Sequence, residues 1–105
     1  MPAQAAHPLI ALDAVVLDTE TTGLDPTRAR LVQIGAVAFR EGQLVPEERF
    51  DRLVDPGGPI PPASTAIHGI DDAAVAGKGD FITAYEAFES FRRGRLVVGH
   101  NLGFD

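Results

Sequence analysis

Four prolines and two glycines crowd into the seven residues 56–62, Pro-Gly-Gly-Pro-Ile-Pro-Pro. Each proline removes a backbone N–H donor and fixes φ, so this stretch is neither a helix interior nor a central strand. It is read as a surface crossing that divides the chain into halves of different periodicity. Before it, Ala14-Val15-Val16-Leu17 is a continuous apolar run ending in Asp18, the pattern of a strand buried on both faces. Residues 31–39, LVQIGAVAF, form a longer β-branched run and a second strand. Glu41-Gly42-Gln43 is a turn, and residues 44–54 form a third strand with Phe50 and Leu53 inward. These three strands read as a meander. Beyond the crossing, residues 63–68 form a short helical turn. Phe81, Ala84, Tyr85 and Phe88 then recur at i, i+3, i+4 and i+7, the spacing of one helical face, and this aromatic stripe is read as core. Asp80 is placed to cap that helix, Arg92 and Arg93 fall in its last turn, and Gly94 suits the residue after it. Leu96-Val97-Val98-Gly99 is a fourth strand. Strand, strand, strand, helix, strand is an α/β layer order.

Composition narrows the function classes. The 105 residues suffice for one small domain, here 13–105, behind a loose lead-in at 1–12. Zero cysteines exclude a disulfide framework, a thiolate zinc site and a cysteine nucleophile, and fit a reducing, cytoplasmic setting. The amino terminus has no basic leader, and Asp13 and Asp18 interrupt its apolar run, so neither a signal peptide nor a membrane span is expected. The net charge of −6 argues against a basic, sequence-reading DNA module. It leaves open an enzyme that meets phosphate through bound cations.

The carboxylates carry the chemistry. Asp18 and Glu20 stand at i and i+2 at the end of the first strand and so project from the same face. Two carboxylates that close repel unless a cation or proton joins them. A bare D-x-E is most often a solvated acidic turn, but Thr21, Thr22 and Gly23 beside it supply hydroxyl donors and close backbone approach. A fourth strand lying beside the first opens its carboxyl end next to Asp18 and Glu20, where ligands gather in α/β sheets. Asn101 is placed to cap a new helix there, with Asp105 one turn in. Three carboxylates on one rim favour a hard cation, Mg²⁺ or Mn²⁺, over zinc.

The segment VVLDTETTGLDPTRARLVQIGAVAF resembles the first motif of the DnaQ-like 3′–5′ exonucleases, the family of bacterial polymerase III proofreading subunits. Ile67-His68-Gly69-Ile70 resembles that family's short H-G-I element, and GHNLGFD its second motif. The resemblance runs from about residue 15 to residue 105. It implies an RNase H-like mixed sheet with flanking helices, of which this chain supplies the first four strands and one long helix. It implies that Asp18, Glu20 and Asp105 are catalytic ligands of two Mg²⁺ or Mn²⁺ ions, a pair about 3.5–4 Å apart that clamps an in-line phosphoryl transfer. The substrate so implied is the 3′ end of single-stranded DNA or RNA, released as nucleoside monophosphates, with a polymerase or other domains of a longer protein as partners. Thr19, Thr21 and Gly23 become contacts for the terminal nucleotide, and Leu24 packs against its base. His68 is either a packed, capping side chain or a substrate contact. His100 anchors the strand end, and Asn101 and Phe104 reach the scissile nucleotide or pack. The family's third motif supplies the general-base His and a fourth carboxylate. His100 stands five residues before Asp105, but inside the second motif, so the third motif is expected outside residues 1–105.

Two other readings compete. Haloacid-dehalogenase phosphatases also place an acidic motif after a first strand, but they require Asp where Glu20 stands and do not follow it with a meander. Without the third motif the chain is also readable as a non-catalytic fragment that binds cation or nucleotide and associates through an exposed sheet.

Overall fold

The computed structural model describes residues 13–23 and 27–100. Four strands, β1 (Asp13–Thr21), β2 (Leu31–Arg40), β3 (Gln43–Leu53) and β4 (Leu96–His100), form one sheet in the order β3-β2-β1-β4. β1, β2 and β3 are the expected antiparallel meander, and β4 lies parallel to β1 on its free edge. Between β3 and β4 run α1 (Pro62–His68), α2 (Asp72–Val75) and α3 (Phe81–Arg92). Glu41 and Gly42 both take positive φ, 56° and 80°, the backbone that a two-residue hairpin of right-handed twist requires. The proline-rich crossing ends within α1: Pro62 occupies its first turn, where a missing N–H costs nothing. Asp80 caps α3 as expected, its carboxylate accepting from the Thr83 N–H at 2.9 Å. That bond holds the Asp80 carboxyl below its usual pKa.

One face of the sheet is covered. Val15, Ile34 and Ala36 pack against Ala84 and Phe88 of α3, with Leu17, Phe50, Phe91 and Val97 around them. Phe50 meets Phe88 edge-on at 5.8 Å and Phe91 at 5.7 Å. A second cluster, Val32, Ile60, Ile70 and Val75, seats α1 and α2 against one end of the sheet. Phe50 packs with the first cluster and Leu53, near the end of β3, with the second.

Two expectations need correcting, and β3 carries an irregularity besides. β1 is not buried on both faces. By register, Val16 and Asp18 share the other face with Val37, Leu44, Leu96 and Val98, and the last three are exposed. The aromatic stripe of α3 is core only in part. Ala84 and Phe88 are buried, whereas Phe81 and Tyr85 are each 46% exposed and stack on one another at 5.8 Å. An i, i+4 pair rotates by about 40° around the helix, enough for its residues to share a contact on the helix surface without facing the sheet. β3 runs unbroken from Gln43 to Leu53, but its pairing is interrupted: Val37 pairs with Arg49 but Ala38 with Val45, so residues 46–48 have no partner on β2. Pro46, which has no N–H to offer a ladder, sits in that excursion.

The excursion carries Glu48 to the α3–β4 junction. Its carboxylate takes both Arg40 amines, at 3.1 and 2.8 Å, and Arg95 Nη1 at 2.9 Å. Arg95 is buried. It also donates to the carbonyls of Phe91 and Arg92 at the end of α3 and lies over the Phe91 ring. The guanidinium thereby satisfies helix-terminal acceptors that have no partner within the helix.

Two outcomes are expected. Phe88→Ala should cost about 3–5 kcal/mol and Tyr85→Ala no more than about 0.5 kcal/mol in denaturant unfolding; equal costs would refute the split of the stripe. The arginine bonds hold the Glu48 carboxyl down to about 2 from 4.5. Its stabilisation is therefore complete above about pH 4.5 and fades as pH falls toward 2. Glu48→Gln should flatten that stretch of the stability–pH curve, and an unchanged curve would show that the latch contributes nothing.

Candidate active site

The site is built where β1 leaves the sheet. Asp18 pairs across the sheet with Gly35 on β2 and with His100 on β4, and Glu20 pairs with Gln33. Asp18 and Glu20 thus share the open face, and both line a cleft of about 290 Å³ with Val16, Gly35, Val37 and Asp51. Register places Asp51 opposite Gly35, so Asp18, Gly35 and Asp51 form one row across three strands. Asp51 stands two strands from Asp18, roughly 9–10 Å away, and its carboxylate accepts from Gln33 Nε2 at 2.8 Å. Gly35 keeps the row open, since a side chain there would project between the acids. Immediately after Glu20 the β1–β2 register shifts, a bulge that ends regular pairing at the rim of the site.

The next residues are pinned by hydrogen bonds rather than by sheet. Thr21 Oγ1 donates to the Gly23 carbonyl at 2.8 Å. Thr22 Oγ1 accepts from the Arg30 N–H at 3.0 Å, and the Thr22 carbonyl accepts from Ser64 Oγ at 2.6 Å. His68 closes the set. Its Nδ1 accepts the Ile70 N–H at 3.1 Å, so Nε2 carries the proton and donates to the Thr21 carbonyl at 2.9 Å. Both ring nitrogens are therefore used to clamp α1 to the end of β1, the capping alternative of the sequence reading.

Of the residues singled out in the sequence, Asp18 and Glu20 come together, with Thr21, Gly23 and His68 at the same end of β1. Thr19 does not join them. It pairs with Ile34 and points to the α3 face, as alternation along the strand requires. Leu24, Asn101, Phe104 and Asp105 lie outside the described residues. Among the described residues no three His, Asp or Glu side chains gather to hold a metal ion. Asp18 and Glu20 nevertheless fit a hard divalent cation, being two oxygen donors on one face with an open cleft beside them. Gln33, Asp51 and Ser64 were missed. Gln33 alone left a signal, as the one polar residue inside an apolar run.

Comparison with known proteins decides the family. The model of the exonuclease family, of RNase T type, matches residues 15–105. The chain belongs to the exonuclease family. It is 49% identical over 104 residues to a DNA polymerase III subunit epsilon-like protein of Rhodobacter capsulatus, covering 98% of this chain and 15% of that protein. It is 38% identical over 91 residues to DNA polymerase III PolC-type of Streptococcus pyogenes serotype M5, covering 87% of this chain and 6% of that one. The chain therefore spans a small part of the length of these relatives. Among solved structures it resembles Exonuclease X in complex with 5′ overhanging duplex DNA, with a TM-score of 0.68, 33% identity and coverage of 87% and 50%. The zinc-bound E. coli ExoI–ssDNA complex, at TM-score 0.67 and 21% identity over 87% and 21% of the two chains, shares the fold. The mixed sheet with its helices is the RNase H-like architecture of these exonucleases, and the phosphatase reading falls.

In this exonuclease domain His68 works through the Thr21 carbonyl. His68→Ala removes one bond and leaves the Ile70 N–H without its partner, a cost of about 1–3 kcal/mol. Amide exchange at Thr22 and Gly23 should accelerate with it. Unchanged exchange there would show that the clamp does not hold the site.

Proposed function

We propose that this chain carries the first two active-site segments of a metal-dependent 3′–5′ exonuclease that removes nucleoside monophosphates from DNA or RNA 3′ ends. The observation that carries the reading is the convergence of Asp18 and Glu20 on one open face, at the bulged exit of β1 and beside the end of β4. The membership of the exonuclease family supports it, as do relatives that are polymerase subunits and neighbours solved with DNA.

In this reading Asp18 and Glu20, joined by Asp105, hold two Mg²⁺ or Mn²⁺ ions. Bound ions of this kind activate a water and offset charge on the leaving 3′ oxygen. The residues of the chain then do the positioning. Asp18 and Glu20 are aimed by a strand paired on both edges, so little reorganises when cation arrives. The backbone of Thr19, Thr21 and Gly23, held by His68 and Ser64, presents amides to the terminal nucleotide, with Leu24, Asn101 and Phe104 against its base and sugar. The general base belongs to a third motif in the longer polypeptide in which the relatives carry this unit. A cytoplasmic setting and association with a polymerase are part of the same proposal. Among the described residues no helix is long and apolar enough to cross a membrane.

A second reading, that the 105 residues alone bind cation or nucleotide without turnover, is favoured by the fact that no three His, Asp or Glu side chains gather closely enough to hold a metal ion among the described residues, Asp51 standing across the cleft from Asp18 and Glu20. Calorimetry with Mn²⁺ on this chain should show weak binding that tightens as pH rises and the carboxylates deprotonate. It should disappear in Asp18→Asn with Glu20→Gln. In the longer polypeptide Asp18→Ala should lower turnover by several orders of magnitude with the fold intact. Mn²⁺ binding unchanged in the double variant, or activity surviving in EDTA, would overturn the metal-dependent reading.

A further inference from the structure

A second cleft opens at the same end of the sheet. Thr22, Arg28, Arg30 and the 56–59 loop enclose about 250 Å³; among the described residues no acidic side chain lines it, the Asp55 carboxylate being engaged beside it by the Gly57 N–H at 2.9 Å. In a chain of net charge −6 this is a local reversal, and it contrasts with the Asp18, Glu20 and Asp51 lining of the first cleft. From this juxtaposition we infer that the second cleft is a subsite for a backbone phosphodiester of the substrate strand, adjacent to the terminal nucleotide. The inference rests on the exonuclease reading and extends it.

Placement is the first ground. Thr22 lies two residues past Glu20, which bounds their separation at about 7 Å. Arg30 is strapped to Thr22 by a pair of bonds, Thr22 N–H to the Arg30 carbonyl at 2.9 Å and Arg30 N–H to Thr22 Oγ1 at 3.0 Å. Whatever fixes the carboxylates therefore also fixes the base of Arg30. The second ground is the guanidinium itself. Arg30 Nη1 donates to the Pro56 carbonyl at 3.1 Å, which orients the planar fork. Among the described residues no carboxylate is paired with it. A guanidinium held by a neutral carbonyl retains its charge and most of its five donors for an anion, and its fork matches phosphate geometry.

The loop supplies the third ground. Gly57 takes φ +78°, and a Cβ built there would stand 3.7 Å from Arg30 Nη1, while Gly58 has open space around it. The positive φ of Gly57 carries the loop round the guanidinium, and the open space at Gly58 leaves the cleft accessible to a ligand. A strand whose 3′ end sits at Asp18 and Glu20 thus meets positive charge one step upstream.

Fluorescence anisotropy of a labelled oligothymidylate in EDTA, from about 50 to 200 mM salt, tests this without hydrolysis. Each phosphate contact on a single strand contributes about 0.7 to the slope of log affinity against log salt. Arg28→Gln with Arg30→Gln should weaken binding and flatten the slope by about 1.4, and Arg28→Gln alone by about 0.7. The single variant leaves the Arg30–Pro56 bond intact, so it decides the matter even if the double variant loosens the loop. Arg93→Gln, at the opposite end of the sheet where β4 begins beside Ala14, should leave the slope unchanged. Strand binding with equal slopes in wild type and variants would overturn the subsite and leave the exonuclease reading standing. A wild-type chain that holds no strand at any salt in EDTA would likewise overturn the subsite, whereas the exonuclease reading falls only with the metal and turnover tests above.

Discussion

β1 is hydrogen-bonded on both edges, antiparallel to β2 and parallel to β4, and the positions of the other functional groups follow from that. A strand paired on both sides cannot slip by one residue without turning its apolar positions to the wrong face and its acids into the core. Val15 and Leu17 on the α3 face therefore commit Asp18 and Glu20 to the other. Burial of that apolar face against α3 supplies the free energy that keeps both carboxylates on the open face, which is how binding sites on sheets are commonly pre-organised.

The parallel edge depends on a contact far from the acids. β4 reaches β1 only because the chain reverses tightly after α3, through Arg93 and Gly94 in left-handed conformations. Arg95 secures that reversal: it caps the last carbonyls of α3 and takes Glu48 from β3. A buried arginine paired with Glu48 at 2.9 Å and more distantly with Asp13 at 3.8 Å is weak evidence for net stability, because desolvation offsets the attraction. Its geometric effect is clearer. The pair ties β3, α3 and β4 at a single point, and so sets the register in which His100 comes level with Asp18.

What was legible in the sequence was whatever repeats or punctuates. The β-branched runs gave the meander, the Glu-Gly turn its hairpin, Asp80 its cap, and the D-x-E spacing its shared face. What was hidden depends on partners distant in sequence. Nothing near Glu48 marks it as the acid that Arg95 will bury against, and in the 44–54 run Pro46 alone marks where the pairing breaks. Phe81 and Tyr85 share the spacing of Phe88, but the sheet ends before it reaches them. His68 had two readings in the sequence. Only its distance from Thr21 showed that both nitrogens are used. For Asp105 and Leu24 the resemblance remains the sole ground.

An acidic chain that handles a polyanion must place its few cations with care, because long-range attraction cannot help it. Arg49, Arg52 and Arg40 lie along β2 and β3, where Glu48 occupies one of them, and Arg92 is paired with Glu89. Ion pairs of this sort screen one another and leave little field beyond about 10 Å at ordinary salt. Arg28 and Arg30 differ in position rather than in kind, since they sit at the exit of β1, beside the carboxylates that need cation to meet phosphate at all. Attraction for the strand is then confined to the few ångströms around the reacting end. On the proposed reading such a surface would discriminate by geometry: a phosphate group would be held only when the chain end is already at the acids, and nucleic acid elsewhere would meet net negative charge.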